Sequence, residues 1–192
     1  HFVRWGAALP DQPGVSIGSD NFQGGADITN HLLDQGCRRI AFLGHASSHY
    51  PEFEERYRGH VQALRGRAIA ADPALQQDAI TTEDSGHAAC LALLASGTRF
   101  DAVCAASDLI AIGALRALRE HGLRVPHDVL VTGFDDIPLA ASVSPALTTV
   151  QQDTRQAGQL LVEKLLAQIG GGTVEGMSIP VKLVVRESSK RV

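Results

Sequence analysis

Two acidic turns carry the polar groups best placed to grip a ligand in this 192-residue chain. The apolar run 102–106 is followed at once by Ser107 and Asp108, and the run 129–132 by Gly133, Phe134 and the pair Asp135 and Asp136. In open α/β sheets ligands sit beyond the carboxyl ends of the strands, so polar side chains placed there face a binding crevice. A carboxylate in a partly dry cleft makes strong, charge-assisted hydrogen bonds to hydroxyl groups. Asp135 and Asp136 are neighbours, so their side chains diverge: one can face the crevice while the other caps the turn before Ile137 and Pro138. Ser107 and Asp108 have a second role open to them, as N-caps that satisfy the first-turn amides of the next helix, and capping is compatible with ligand contact. Arg56, three residues before Gly59, carries a planar five-donor guanidinium that could fork onto paired hydroxyls or a carboxylate. It could equally be a solvated helix arginine paired with Glu52 or Glu55. The expectation is a site for a small polar molecule.

Catalytic patterns are missing. There is no G-x-S-x-G, G-x-x-x-x-G-K, G-x-G-x-x-G, H-E-x-x-H or C-x-x-C, and no partnered nucleophile that would make Asp135 or Asp136 a general base. No enzyme and no cofactor are expected. His45 and His49 are four apart in a loop-like stretch without a carboxylate near them in sequence, so no metal is assigned to them. His31, His60, His87, His121 and His127 are expected at solvated helix positions. A net charge of −4 argues against a broad nucleic-acid surface, because neutralising phosphates takes clustered Lys and Arg. Cys37, Cys90 and Cys104 are odd in number and far apart in apolar context, which fits buried thiols in a reducing compartment. No apolar run approaches the ~20 residues of a membrane span, and the first residues lack a signal-peptide pattern. A cytoplasmic, membrane-free protein is expected.

The elements that must position these groups alternate. Residues 15–17 read as a short strand, 21–35 as a helix stopped at Gly36, and 39–44 as a buried strand. Helices are expected at 52–65, 84–94 and 108–121, the last with a stripe of Leu109, Ile112, Leu115 and Leu118 and closure at Gly122. A weaker strand is expected at 78–82. Asp153 to Gln156 has the form of a capping box, opening a helix with the stripe Ala157, Leu161, Leu165 and Ile169, and 179–185 reads as the final strand. Strands separated by helices of ~10–15 residues mean βαβ units and a parallel sheet covered on both faces. The predicted fold class is therefore α/β.

The stretches 107–115, 122–126, 131–136, 145–153 and 183–188, together with Asp20-Asn21, His31-Leu32, 36–44 and Arg56-x-x-Gly59, resemble in that order the effector-binding core of LacI/GalR-type transcriptional regulators. The resemblance implies a periplasmic-binding-protein-like core of two Rossmann-like parallel-sheet subdomains, crossed three times by the chain and closing on an effector, most simply a sugar. Residues 1–36 and 150–177 would form a partial N-terminal subdomain, and 37–149 with 178–192 the C-terminal one. Position by position, Arg56 resembles the family's effector-clamping arginine, Asp135 its strand-end carboxylate and Gln152 a cleft residue. Ser107 falls where many members have Asn. Thr81 falls where members often place a ring-stacking aromatic, so that platform is expected either from Phe134 or from the part of the N-terminal subdomain not among these residues. The resemblance further implies operator DNA as partner through an N-terminal headpiece not among these residues, allosteric repression or activation, and a homodimer formed near the helix at 84–97 and the segment 137–146. A transporter's periplasmic sugar-binding protein shares the fold and is the competing reading.

Overall fold

The computed structural model describes residues 1–7 and 13–191. By their contacts these fall into two units: a smaller one, residues 1–20 and 152–182, and a larger one, residues 21–151 and 183–192. The chain therefore passes between units three times.

The larger unit is built on a four-stranded parallel sheet. Its strands are β3 (Ile40–Leu43), β4 (Gln76–Gln77), β5 (Ala102–Ala105) and β6 (Leu130–Thr132), in the spatial order β4-β3-β5-β6. Every residue of β3 and β5 is buried, the continuous apolar pattern of a strand covered on both faces. The covering helices are α1 (Asn21–Asp34), α2 (Pro51–Gly66), α3 (Glu83–Ala95) and α4 (Asp108–Glu120). They pair through glycines. A Cβ on Gly25 of α1 would collide with the Arg56 carbonyl of α2, and one on Gly59 with the Phe22 carbonyl. Gly86 of α3 and Gly113 of α4 repeat the arrangement against the carbonyls of Ile110 and Glu83. Backbones this close leave no room for any side chain at the crossing. The boundary expected at residue 36 lies instead between Asp20 and Asn21, because α1 packs along α2 and contributes Ile28, Leu32 and Leu33 to the larger core.

The order of the strands fixes where a site can form. From β3 the chain moves outward to β4, then returns across β3 to β5 and onward to β6. The reversal between β3 and β5 leaves a crevice at their carboxyl ends, where Leu43 leads into Gly44 and Ala105 into Ala106 and Ser107.

The smaller unit holds the parallel strands β1 (Val3–Trp5), β2 (Val15–Ser19) and β8 (Met177–Ile179), in the order β1-β2-β8, with α5 (Thr154–Ile169). Asp153 caps α5 by accepting the Gln156 amide at 2.8 Å, as its sequence predicts. The core is small: Ile17, Ala157 and Ile179, with Val3, Leu160 and Leu161 partly buried. Two further strands, β7 (Thr149–Gln151) and β9 (Lys182–Val184), form a two-stranded ladder.

Four expectations change. The strand expected at 78–82 lies upstream at β4, because the 78–82 stretch serves the next helix: Thr82 accepts the Ser85 amide as N-cap, and the Ile80 amide goes to the Ser85 hydroxyl. The strand expected over 179–185 is broken at Pro180 into β8 and β9, since proline brings no N–H to a ladder. The buried face of α4 is Ile110, Ala111, Ala114, Ala117 and Leu118, while Leu109, Ile112 and Leu115 are only half-buried. On α5, Ile169 stands 59% exposed and only Ala157 of the expected stripe is buried.

Candidate ligand-binding site

Arg56 sits in the second turn of α2 and is 5% exposed. Its guanidinium lies at the switch point itself. Nη1 donates to the carbonyl of Ala106, the residue just past β5, and Nε donates to Asn21 Oδ1 at 2.8 Å. Nη1 also stands 3.5 Å from Asp135 Oδ1. The plane rests on Phe134, 3.7 Å from the ring centroid, with the Phe53 centroid at 5.5 Å. Burial lowers the Arg56 pKa, and the nearby carboxylates, Asp135 foremost, act against that. Glu55 pairs with Arg58, and Arg56 itself is buried rather than solvated.

Asp135 holds its place by backbone as well as charge. Its amide donates to the Val150 carbonyl at 2.8 Å, and its φ of +112° lies where side chains other than glycine are strained. Strain of this kind persists only where surrounding structure imposes it, and it concentrates at ligand clamps. Asp136, at φ +55°, turns away: Oδ1 accepts Arg186 Nη2 at 2.7 Å and Oδ2 accepts the Gln151 amide at 2.8 Å. The two side chains diverge as expected, but the turn before Ile137 is capped by Asp108, not Asp136.

Asp108 is fully buried, with Oδ1 accepting the Thr149 hydroxyl at 2.6 Å and Oδ2 the Ile137 amide at 2.9 Å. Burial pushes its carboxyl up to about 7 against the pull of these hydrogen bonds. Ser107, also fully buried, caps α4 through the Ile110 amide at 3.4 Å. Ser107 thus takes the N-cap role, whereas Asp108, the first residue of α4, caps no amide of that helix and spends its carboxylate on Thr149 and the Ile137 turn. Phe134 is 1% exposed and lies under Arg56, so it offers no open ring to a ligand. Thr81 is exposed in the loop before α3. Gln152, half-buried, is the first residue of the smaller unit after β7, in a different unit from Arg56 and Asp135. Thus Arg56, Asp135 and Phe134 come together, the Asp108 amide donates to the Phe134 carbonyl at 2.7 Å, Thr81 is exposed before α3, and Gln152 belongs to the other unit.

Asn21 was not singled out by its sequence. It sits 35 positions from Arg56, and the spacing that brings them together is set by the Gly25–Gly59 crossing. His45, weighed from its sequence only as one of a histidine pair, has a carboxylate beside it after all. Its Nε2 lies 3.9 Å from Asp78 Oδ2, a carboxylate remote in sequence that β4 pairing brings alongside. Among the described residues no group of three or more His, Cys, Asp or Glu is arranged to hold a metal. His60 is buried rather than solvated, 3% exposed with Nδ1 at 3.0 Å from the Thr29 hydroxyl, and burial lowers its pKa to about 4. Cys37, Cys90 and Cys104 are buried free thiols, as expected, raised by desolvation to about 12, 12 and 11. No helix among the described residues is long and apolar enough to cross a membrane.

The arrangement can hold a polar ligand by a fixed guanidinium and a partly exposed carboxylate; nothing in it supplies a nucleophile. The periplasmic binding protein-like domain matches residues 29–189. The transcriptional regulator CelR of Thermobifida fusca is 37% identical over 182 residues, 94% of this chain and 53% of its own length. The ribose operon repressor of Halalkalibacterium halodurans is 34% identical over 91% of this chain and 52% of its own. The chain thus spans about half the length of these curated relatives. Among solved structures, a CelR–cellobiose complex superposes with a TM-score of 0.91 at 36% identity, over 97% of this chain and 58% of that one. A LacI family regulator of Enterococcus faecium with bound ribose superposes at 0.88 and 27% identity, over 98% and 70%. With buried clamp, parallel-sheet order and sequence all in agreement, the chain belongs to the periplasmic binding protein-like domain family, in the form found in LacI-type transcriptional regulators.

Proposed function

We propose that this chain is the effector-sensing core of a LacI-type transcriptional regulator in the cytoplasm, that its effector is a carbohydrate, and that effector binding shifts the affinity of the whole regulator for operator DNA. The observation that carries this is the Arg56–Asp135 clamp: a buried guanidinium at the sheet's switch point, facing a carboxylate held on a strained backbone. Fixed donors beside a partly exposed acceptor suit the vicinal hydroxyls of a sugar, each of which is both donor and acceptor. Relatives whose names record cellobiose and ribose support the ligand class, and their description as regulators favours this reading over a transporter's binding protein. Coupling is limited by the effector's differential affinity for two states of the regulator, typically about 1–3 kcal/mol. Titrating the full-length regulator with cellobiose, ribose and related sugars while following operator binding tests it. A several-fold change with a bound sugar is expected; sugar binding without any change in DNA affinity would refute it.

The regulator is further proposed to work as a homodimer. Ile112, Leu115, Arg116 and Arg119 of α4, with Leu123, Val125, Val143 and Pro145, line a groove of about 520 Å³, and Leu139 nearby is 42% exposed. The same face carries Glu83 and Glu120, so it can oppose its own copy about a twofold axis with charges of both sign. Light scattering on the wild type and Leu115→Glu should give a dimer and a monomer respectively. A wild-type monomer at all concentrations overturns the assignment.

A further inference from the structure

Arg186 and Asp136 form a buried ion pair close to the clamp that the clamp itself does not use. Arg186 lies two residues past β9, just after the chain re-enters the larger unit at Leu183, and it is pinned along its length. Its amide donates to the Thr148 hydroxyl at 2.8 Å, its carbonyl accepts from that hydroxyl at 3.1 Å, and Nη1 donates to the Leu147 carbonyl at 2.8 Å. Nη2 is then left for Asp136 Oδ1, while Gln151, the last residue of the larger unit before the chain leaves it, takes Oδ2. The two charged side chains are 20% and 9% exposed. With both oxygens engaged, Asp136 does not meet a ligand itself.

The pair acts on the backbone of the neighbouring residue. Among the described residues other than glycine, only Ala68, Asp135 and Asp136 have positive φ. Asp136 at +55° falls in the left-handed helical well, which aspartate tolerates, whereas Asp135 at +112° falls outside it and is strained. A residue held there stays only if both its flanks are fixed. On one flank the Asp135 amide is tied to the Val150 carbonyl. On the other, the Asp136 amide donates to the Thr149 hydroxyl at 3.3 Å, and the Asp136 carboxylate is locked by Arg186 and Gln151. The Asp135 carboxylate that faces Arg56 hangs from this turn, so the anchors of the turn decide where it points.

Fastening the end of the chain does not require the ion pair. The Ser188 amide donates to the Ala146 carbonyl at 2.9 Å, its hydroxyl to the Val131 carbonyl at 2.6 Å, and the Thr148 amide to that hydroxyl at 2.9 Å. Nor is a buried ion pair an efficient source of stability, since desolvation consumes most of its attraction and apolar side chains of similar volume do as well. Its directional contacts are suited instead to holding one backbone state against a more relaxed one. On that basis, and resting on the effector reading above, we infer that Arg186, acting through Asp136, is a positioning residue for effector binding: it holds the 135–136 turn in the strained form that presents the Asp135 carboxylate beside Arg56.

The three-bond coupling between the amide and Hα protons of Asp135, small at φ +112° and large in extended backbone, reads the turn directly by NMR on the chain as it stands. Calorimetry with cellobiose, ribose and related sugars reads the clamp. Arg186→Met should raise the coupling and weaken whichever sugar the wild type binds by about tenfold. Arg186→Lys, which keeps a charge opposite Asp136, should restore part of both. Asp136→Asn should act in the same direction, and the double variant should be no worse than the worse single one, because both break one link. These two single variants give the same readings should Arg186→Met fail to fold. Leu93→Ala, which opens a cavity beside Ala41 and Leu75, is the control: it should melt lower with coupling and affinity unchanged. An unchanged coupling in Arg186→Met, a raised coupling with full affinity, or an equal change in Leu93→Ala overturns this inference and leaves the carbohydrate reading standing. Failure of every sugar to bind the wild type overturns the carbohydrate reading, and the coupling then decides the role of Arg186 by itself.

Discussion

Arg56 shows how one buried cation is made tolerable. Desolvating a guanidinium is costly unless its donors are met, and here a side-chain amide, a backbone carbonyl, a carboxylate and an aromatic face share the task. Lysine brings one point charge and no fork, so Arg56→Lys should lower stability by about 2–4 kcal/mol in urea unfolding; a loss below the error of that measurement would show the clamp to be dispensable. A second residue-scale prediction concerns pH. Asp108 is raised from 3.8 to about 7 and His60 lowered from 6.5 to about 4, both by burial. The folded state holds the Asp108 proton more tightly than the unfolded chain, so its contribution is full below the unfolded value and is lost as pH rises through 3.8 to about 7, up to about 4 kcal/mol in all. The neutral His60 acts the other way, its contribution being lost as pH falls from 6.5 to about 4. Over the shared window the two slopes oppose each other. Denaturant midpoints from pH 4 to 7.5 should therefore rise with pH in Asp108→Asn and fall in His60→Gln relative to the wild type, and parallel profiles would dismiss the pairing. Asp135 was singled out by its place after an apolar run, whereas the spacing of Arg56 from Gly59 left a solvated helix arginine open and only the family resemblance pointed it to the crevice. Asn21 and the pairing of His45 with Asp78 were not legible, because what joins them is strand pairing and helix crossing, which no local spacing encodes.

At the scale of elements, the helix pairs depend on four glycines. A Cβ at Gly25, Gly59, Gly86 or Gly113 would meet backbone carbonyls that cannot swing aside, so alanine there must part the helices. Each substitution should cost about 3 kcal/mol or more despite alanine's better helix propensity. Gly158 on α5 is the control: nothing lies within 4 Å of its added Cβ, and Gly158→Ala should stabilise the smaller unit by up to about 1 kcal/mol. Thermal melts of the five variants check this, and a tolerated Gly59→Ala would mean that the α1–α2 crossing can relax. The order and type of the elements were readable from periodicity and punctuation, with Gly36, Gly97 and Gly122 all at positive φ just past helix ends. What periodicity misread was depth. Leu109, Ile112 and Leu115 outrank alanine on any hydrophobicity scale, yet the close α3–α4 crossing demands small residues, so the Ala111, Ala114 and Ala117 face goes inward. The same tertiary demand shifted β4 two residues upstream, where Gln76 also donates to the Gly44 carbonyl at 3.0 Å.

At the scale of the molecule, the two units differ in what holds them. The larger has three fully buried strands, β3, β5 and β6, four covering helices and large buried side chains such as Phe42, Leu93, Leu118 and Leu130. The smaller rests on three buried apolar residues, while Val162, Leu166 and Ile169 on α5 stand 58%, 62% and 59% exposed, and Trp5 and Met177 on its strands 43% and 47%. At roughly 25 cal/mol per Å² of apolar surface buried, so small a core offsets little conformational entropy, and this part of the chain should open well below the global unfolding free energy. Unfolding of the whole is then not two-state. Native-state hydrogen exchange should show amides of Val15–Ser19 and α5 exchanging through a low-energy opening while those of β3 and β5 exchange only by global unfolding. Ile17→Ala, which empties the centre of the smaller core, should speed the first class and leave the second unchanged. Equal acceleration of both classes would mean that the chain opens as a single cooperative body.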